Sequence, residues 1–294
     1  MSGSAVGRAD GPDFLCVGLQ KAGTQWLYDQ LQHHPDFWMP PIKELHFFDR
    51  HFPDGRVREA AKRYVERPDR YGAAKLRNEH AAVDERSAAF LKLVAAFDPR
   101  ESSLEAYAGL FRAKGSSLSG DITPGYSTLP PKTIRAIARR LPDAKVCLML
   151  REPAARLWSA WRMRCERDLL PWLTVRSFRR FRAFAERPPV VERSYPTVVA
   201  AKWAEAFPGR FRAFFLDDVI ARPAETRAAI LEFLGADPDA GTVVPPDFNR
   251  KAKSRAVLPG AAAQSYLREK FEAERERCAD MFGGAAKDWP GRPY

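Results

Sequence analysis

The chain has 294 residues, of which 45% are hydrophobic and 29% are charged, a composition that is ordinary for a soluble globular protein. No apolar stretch approaches the roughly 20 residues of a membrane-spanning helix, which argues against an integral membrane protein. The formal net charge of +11 favours an anionic ligand, an anionic acceptor or nucleic acid as the partner. An arginine-rich surface with no such partner explains the charge equally well.

The cysteines and the N-terminus bear on location. The four cysteines show no C-x-x-C spacing: Cys16, Cys147, Cys165 and Cys278. We expect buried, reduced thiols, which suit a reducing compartment. The first residues are small and polar and contain no apolar signal-peptide core. We therefore predict a cytoplasmic protein with a disordered N-terminus over residues 1–12 and one domain over residues 13–294.

The first predicted elements are a strand, a glycine loop and a helix. Residues 14–17 are an apolar run of strand length, residues 18–23 a tight loop, and residues 24–32 a helix. A strand that turns through glycines into a helix leaves unpaired N–H groups and the positive end of the helix dipole at one point. We predict an anion site there, because Lys21 adds a positive charge and Thr24 adds a hydroxyl.

This loop matches the Walker pattern G-x-x-x-x-G-K-[ST] only in part. Gly18 and Gly23 have the Walker spacing, but Thr24 follows Gly23 directly and the lysine lies at position 21. Lys21 therefore approaches the anion from the other side of the loop than a Walker lysine does. The pattern predicts a phosphate-type site and leaves open which anion binds.

The rest of the chain alternates predicted helices with predicted strands. Extended, turn-rich or irregular segments are predicted at 33–42, 119–126, 170–193 and 236–260, strands at 144–150 and 211–216, and helices at 56–66, 104–113, 132–141, 195–207, 222–234 and 261–281. The alternation predicts an α/β fold, in which a parallel sheet carries helices on both faces and one P-loop-like binding loop. No linker divides the chain, so we predict a single domain.

A second anion site is predicted where the strand at 144–150 ends. Arg151 follows this strand directly, and Ser159 lies two turns into the next helix. Ligands of such sheets bind beyond the carboxyl ends of the strands. If the strands at 14–17 and 144–150 are neighbours, Lys21 and Arg151 are placed to hold two phosphates of one nucleotide. The alternative is that Arg151 caps sheet carbonyls and Ser159 is a surface hydroxyl.

A candidate base follows the first helix. Glu44 lies between a lysine and an apolar cluster, where a carboxylate can take a proton from an acceptor hydroxyl. His46 is the rival base, because its ordinary pKa is better placed for that role. An exposed, ion-paired glutamate is the third possibility. The sequence does not choose among these.

Three segments, taken together, resemble the sulfotransferases that use 3′-phosphoadenosine 5′-phosphosulfate (PAPS). Residues 17–27, VGLQKAGTQWL, match the family's 5′-phosphosulfate loop, whose signature is K-x-G-T-x-x-L. Residues 43–49, KELHFFD, match a segment of the heparan sulfate O- and N-sulfotransferases in which the glutamate is taken as the base. Residues 151–161, REPAARLWSAW, match the 3′-phosphate segment. The chain most resembles that subgroup and its bacterial relatives.

The resemblance implies a role for each matching residue. Lys21 stabilises the leaving phosphate and Glu44 activates the acceptor. The residues implied at the 5′ end of the donor are Lys21, Ala22, Gly23, Thr24, Gln25 and Trp26. Arg151 and Ser159 are implied at the 3′-phosphate. Arg255, in a basic loop at 248–255, is a further candidate for binding the donor. An exposed basic loop with no such role explains that segment equally well. The family needs no metal for this chemistry, and the product is 3′,5′-adenosine bisphosphate (PAP).

The acceptor is less well defined. Relatives that act on heparan carry Glu-Lys before Ser/Thr-Pro, where this chain has Asp121-Ile122-Thr123-Pro124. We therefore predict a hydroxyl or amine of a small molecule, lipid or glycan as acceptor. Lys43, Phe47 and Tyr126 are candidate contacts to it, although the aromatic residues, with Trp38 and Phe48, are equally expected in the core.

Two other functions compete with this interpretation. A P-loop kinase using ATP and magnesium is disfavoured, because Lys21 is shifted and no Gly-Lys-Ser/Thr follows. A nucleic-acid-binding protein is suggested only by the charge, since the arginines are scattered and no binding motif is present. We expect no nucleic acid partner, and the sequence leaves the oligomeric state open.

Overall fold

The computed structural model describes residues 10–50, 52–66, 84–168, 172–245 and 257–292. The strands are Phe14–Cys16 (β1), Gly120–Ile122 (β2), Lys145–Leu150 (β3) and Phe211–Phe215 (β4). The helices are Thr24–Gln32 (α1), Gly55–Glu66 (α2), Glu85–Ala96 (α3), Leu104–Gly109 (α4), Pro131–Arg140 (α5), Pro153–Arg167 (α6), Trp172–Val175 (α7), Phe178–Ala185 (α8), Pro188–Glu192 (α9), Pro196–Ala206 (α10), Leu216–Ala221 (α11), Pro223–Leu234 (α12) and Ala261–Phe282 (α13). The 3₁₀ helices are Pro99–Glu101, Leu110–Lys114, Pro124–Thr128 and Gly284–Asp288.

The four strands form one parallel sheet in the order β2-β1-β3-β4, flanked by helices. Cys16 at the end of β1 lies opposite Ile122 of β2 and Cys147 of β3. From β1 the chain continues to β2 on one side, whereas from β3 it continues to β4 on the other. The carboxyl ends of β1 and β3 therefore flank the switch point at which ligands of such sheets bind. The predicted α/β class is confirmed.

Most predicted elements are present within a residue or two of their predicted bounds. Helix α1 has the predicted bounds, and α12 ends at Gly235, whose φ of 85° gives the left-handed cap expected of glycine. Strand β2 was missed, because it is three residues long and lies in a segment rich in glycine and proline. The four cysteines are free and buried, as predicted.

The prediction of an irregular segment at 170–193 is wrong. Short helices α7, α8 and α9 occupy much of it. Helix α8 is held by Phe181, which is fully buried in a second core, with its ring centroid 5.1 Å from that of Trp158. This core joins α6, α8 and α13. Helices of four to eight residues contain too few turns to show a helical period in the sequence.

Two residues of the terminus predicted to be disordered are buried in the structure. Residues 1–9 lie outside the described residues, but Gly11 and Pro12 are buried. The carbonyl of Gly11 accepts a hydrogen bond of 2.7 Å from Lys114, which also pairs with Asp13 at 2.8 Å. Gly11 and Pro12 therefore pack with the domain rather than with a disordered terminus. Within the described ranges, no helix combines the length and apolar character required to cross a bilayer.

Candidate active site

The loop between β1 and α1 presents the start of a helix that no side chain caps. Gly23, the N-cap residue, has a φ of 94° and no side-chain hydrogen bond, and the first turn of α1 contains no acidic residue. A Cβ at Gly23 would lie 3.0 Å from Leu216 Cδ1, so both the φ and the space favour glycine. The first N–H groups and the positive end of the helix dipole are thus available to an anion.

Arg151 lies beside this loop. Because β1 and β3 are paired, the condition set by the sequence is met, and Arg151 Nη1 donates to the carbonyl of Lys21 at 3.1 Å. The next residue, Glu152, caps α6 by accepting from the N–H groups of Ala154 and Ala155 at 2.9 and 2.6 Å. Ser159 is half-buried on the same helix. The two predicted phosphate-binding elements therefore lie side by side.

A row of charged side chains leads from the loop to the candidate base. Lys43 Nζ lies 3.5 Å from Thr24 Oγ1 and 3.2 Å from Glu44 Oε1. Glu44 Oε2 lies 3.4 Å from His46 Nε2, and His46 Nδ1 lies 3.0 Å from both carboxylate oxygens of Asp49. The side chain of Glu44 is 30% exposed and that of His46 is 15% exposed. We call Lys43, Glu44, His46 and Asp49 the charged row.

The protonation states within the charged row follow from these contacts. Burial raises the pKa of Glu44, but the hydrogen bond to His46 and the charge of Lys43 outweigh it and lower this pKa to about 2. Burial lowers the pKa of His46, but the hydrogen bonds to Asp49 and Glu44 outweigh it and raise this pKa to about 9. At neutral pH, Glu44 is therefore an anion and His46 a cation.

The backbone of the charged row is strained. Glu44 and His46 have φ values of 64° and 56°, and Lys21 in the neighbouring loop has a φ of 72°. The left-handed region costs a residue other than glycine on the order of 1–2 kcal/mol. Such conformations persist where surrounding contacts enforce them, and they cluster at functional sites.

The charged row predicts a pH dependence of stability. Because the folded state raises the pKa of His46 above its ordinary 6.5, the stabilisation is fully present below about pH 6.5 and is lost as pH rises through about 9. We expect the loss to be on the order of 3 kcal/mol. Urea unfolding of the wild type and of His46→Gln at both ends of this range measures it. Equal pH dependence in the two proteins would refute the assignment.

The other predicted site residues differ in how exposed their side chains are. Ala22 and Trp26 are buried behind the loop, whereas Gln25 is exposed and its amide donates to Asp29 at 2.9 Å. The rings of Phe47 and Tyr126 are 6% and 0% exposed, and Trp38 is also buried, so the core alternative describes these aromatic residues better than pocket lining does. Arg255 and the rest of the basic loop at 248–255 lie outside the described residues.

Two residues of the candidate site, Asp49 and Arg193, have no role that the sequence predicts. Asp49 belongs to the KELHFFD segment, and its spacing of three residues from His46 was the available signal. Arg193 lies in the segment predicted to be irregular, and no sequence signal marks it. Burial lowers the pKa of Arg193, while the charges of Asp49 and Glu44 raise it, which brings this arginine into the field of the charged row.

The fold and the site together define a class. An open parallel sheet, with a glycine loop and an uncapped helix start at its switch point, is typical of α/β proteins that bind the phosphates of a nucleotide. A family model described as "Sulfotransferase family" matches residues 12–240. The chain belongs to the sulfotransferase family. The closer resemblance to the heparan sulfate enzymes stays a prediction.

One solved structure agrees with this assignment at the level of the fold, and two others are similar with lower scores. A sulfotransferase from Alicyclobacillus acidocaldarius is 21% identical, with a TM-score of 0.62 over 95% of this chain and 98% of that chain. The sulfotransferase domain of the Synechococcus PCC 7002 olefin synthase is 19% identical, with a TM-score of 0.47 over 90% and 96%. Sulfotransferase STF9 from Mycobacterium avium is 14% identical, with a TM-score of 0.49 over 94% and 78%. The comparison with curated proteins found no match.

Proposed function

We propose that this chain transfers a sulfuryl group from PAPS to a hydroxyl or amine of a small-molecule, lipid or glycan acceptor. One observation carries the proposal. Lys43 lies within 3.5 Å of Thr24, in the anion loop, and within 3.2 Å of Glu44, so the candidate base is two contacts from the candidate donor site. Donor and acceptor bound at these two places would be adjacent, as a direct transfer requires.

The residues of the loop suit the 5′ end of such a donor. The uncapped helix start, Lys21 and Thr24 offer N–H groups, a positive charge and a hydroxyl, and Gly23 leaves no side chain in the way. Beside the loop, Arg151 and Ser159 suit the 3′-phosphate. PAPS, when bound, supplies an activated sulfonate whose leaving group is a phosphate. The role proposed for Lys21 is to stabilise the negative charge that grows on that phosphate.

Glu44 suits the role of base better than His46 does. As an imidazolium, His46 directs Nε2 to Glu44 and Nδ1 to Asp49, so it has no lone pair with which to take a proton. Glu44 is ionised and partly exposed, and each carboxylate oxygen has more than one acceptor site. We assign proton removal to Glu44, and to His46 the task of holding this carboxylate in place.

Lys43 couples the loop to the strength of this base. A carboxylate whose pKa is about 2 is a weak base at neutral pH. Because Lys43 contacts both Thr24 and Glu44, an anion in the loop would compete for its charge and raise the pKa of Glu44. The base would then strengthen when the donor site is filled.

Within the described ranges, no group of three or more His, Cys, Asp or Glu side chains is arranged to hold a metal ion.

Arg151→Ala tests the donor site. Since a hydrogen bond to a charged group contributes about 1.5–3 kcal/mol, we expect calorimetry to show PAP binding weakened roughly 10- to 100-fold. The wild type should bind PAP in the presence of a chelator. Arg100→Ala is the matched control, because the Arg100 side chain is 90% exposed and, among the described residues, forms its ion pair with Asp98. Binding of ATP with magnesium but not of PAP would favour a kinase, and salt-dependent binding of DNA or RNA alone would favour a nucleic-acid-binding protein.

A further inference from the structure

A buried carboxylate lies beneath the charged row. Asp121 on β2 is 1% exposed, and among the described residues no Lys or Arg forms an ion pair with it. Three hydroxyl groups bind it instead. Thr123 donates to Oδ1 at 2.6 Å, and Tyr126 and Tyr107 donate to Oδ2 at 2.7 and 3.0 Å. A buried carboxylate held only by hydroxyls fixes the direction in which each hydroxyl proton points.

Two of these hydroxyls also hold the backbone of the charged row. Because each directs its proton to Asp121, its oxygen is free to accept from another donor. The Tyr126 hydroxyl accepts from the N–H of Phe47 at 3.0 Å, and Thr123 Oγ1 lies 3.5 Å from the N–H of His46. These are consecutive backbone groups, directly after Glu44 and Leu45. The third hydroxyl, that of Tyr107, donates to Oδ2, as Tyr126 does, and among the described residues no hydrogen bond joins it to the backbone of residues 46–47.

We propose that Asp121 is a positioning residue: through Tyr126 and Thr123 it holds residues 46–47 in place and thereby fixes Glu44 against His46. The proposal rests on the proposed role of Glu44. It accounts for the positive φ values of Glu44 and His46, which require contacts that hold the chain against its local preference. Loss of either hydroxyl frees the backbone, and the geometry that joins His46 to Glu44 and Asp49 relaxes.

The pair Tyr126→Phe and Tyr107→Phe isolates this role. Each substitution removes one hydroxyl from the same oxygen of Asp121 and keeps the ring, so both change the buried carboxylate alike. Only Tyr126→Phe removes the acceptor of the Phe47 N–H. The readout is the titration of the His46 imidazole by NMR, which requires no ligand. Among the described residues, the charged groups that act on His46 include Glu44, Asp49, Arg50 and Asp121, and both variants retain these four.

We expect Tyr126→Phe to lower the pKa of His46 from about 9 by about one unit or more, and Tyr107→Phe to leave it near its wild-type value. If Tyr126→Phe does not fold, Thr123→Val is compared with Thr123→Ser, which keeps the hydroxyl and should restore the titration. Equal shifts in the Tyr126 and Tyr107 variants, or no shift in either, would overturn the proposal. The affinity of each variant for PAP, measured separately, should stay within about twofold of the wild-type value. If the wild type does not bind PAP, that result would count against the donor site and not against this proposal.

Discussion

Glu44→Gln is expected to lower kcat for sulfuryl transfer by roughly 10²- to 10⁴-fold, the usual contribution of a general base. Glutamine keeps the size of the side chain and its acceptor oxygen toward His46, but it has no basic carboxylate. The affinity for PAP should not fall, because loss of the Glu44 charge leaves the charge of Lys43 to the anion in the loop. The measurement is the rate at which PAP is released from PAPS in the presence of an acceptor. That acceptor is first identified by transfer of sulfur label from PAPS.

His46→Gln distinguishes the two candidate bases. Loss of the hydrogen bond from His46 should raise the pKa of Glu44 and reduce kcat less than loss of Glu44 itself. Glu101→Gln, at an exposed glutamate of the 3₁₀ helix Pro99–Glu101, is the control for removing a carboxylate. If Glu44→Gln kept most of the activity while His46→Gln abolished it, the base would be His46, and the assignment made from the charged row would be wrong.

Arg275→Ala is expected to lower the free energy of unfolding by about 3–5 kcal/mol, because it leaves a buried carboxylate without its partner. Arg275 Nε of α13 lies 2.9 Å from Glu152 Oε1, and these side chains are 1% and 4% exposed. Glu152 also caps α6, directly after Arg151. The ion pair therefore connects the last long helix to the element that carries the proposed 3′-phosphate site. Urea unfolding measures the loss.

Two further variants make this expectation specific. Arg268→Ala, at an exposed arginine of the same helix, should cost less than about 1 kcal/mol. Arg275→Met combined with Glu152→Gln should recover part of the loss, since the two substitutions together remove both buried charges. A cost for Arg275→Ala no larger than that of Arg268→Ala would show that the pair contributes nothing measurable.

The fold was largely predictable, because its helices and longer strands carry their own local signals. The continuous apolar run of β3 predicts a buried parallel strand, and Gly235 predicts the end of α12. Strand β2 has no such signal, since it forms only through its pairing with β1. Helix α8 likewise depends on the burial of Phe181 against Trp158, which lies in a different helix.

The site was predictable as a set of motifs but not as a geometry. Residue type and spacing predict the anion loop, Glu44 and Arg151 as separate candidates. The pairing of β1 with β3 brings the anion loop and Arg151 together. The choice between Glu44 and His46 depends on which atoms face each other, and that depends on left-handed backbone conformations that neither residue type favours. The pairing of Arg275 with Glu152 joins residues 123 positions apart and leaves no local trace.

The most direct test of the central claim is a competition between two labelled donors. The protein is incubated with sulfur-labelled PAPS and γ-phosphate-labelled ATP, with magnesium present, together with pooled small-molecule, lipid and glycan acceptors. Our account predicts that sulfur label enters an acceptor with release of PAP, that no phosphate label is transferred, and that Glu44→Gln removes the transfer. Transfer of phosphate label without sulfur label would contradict it.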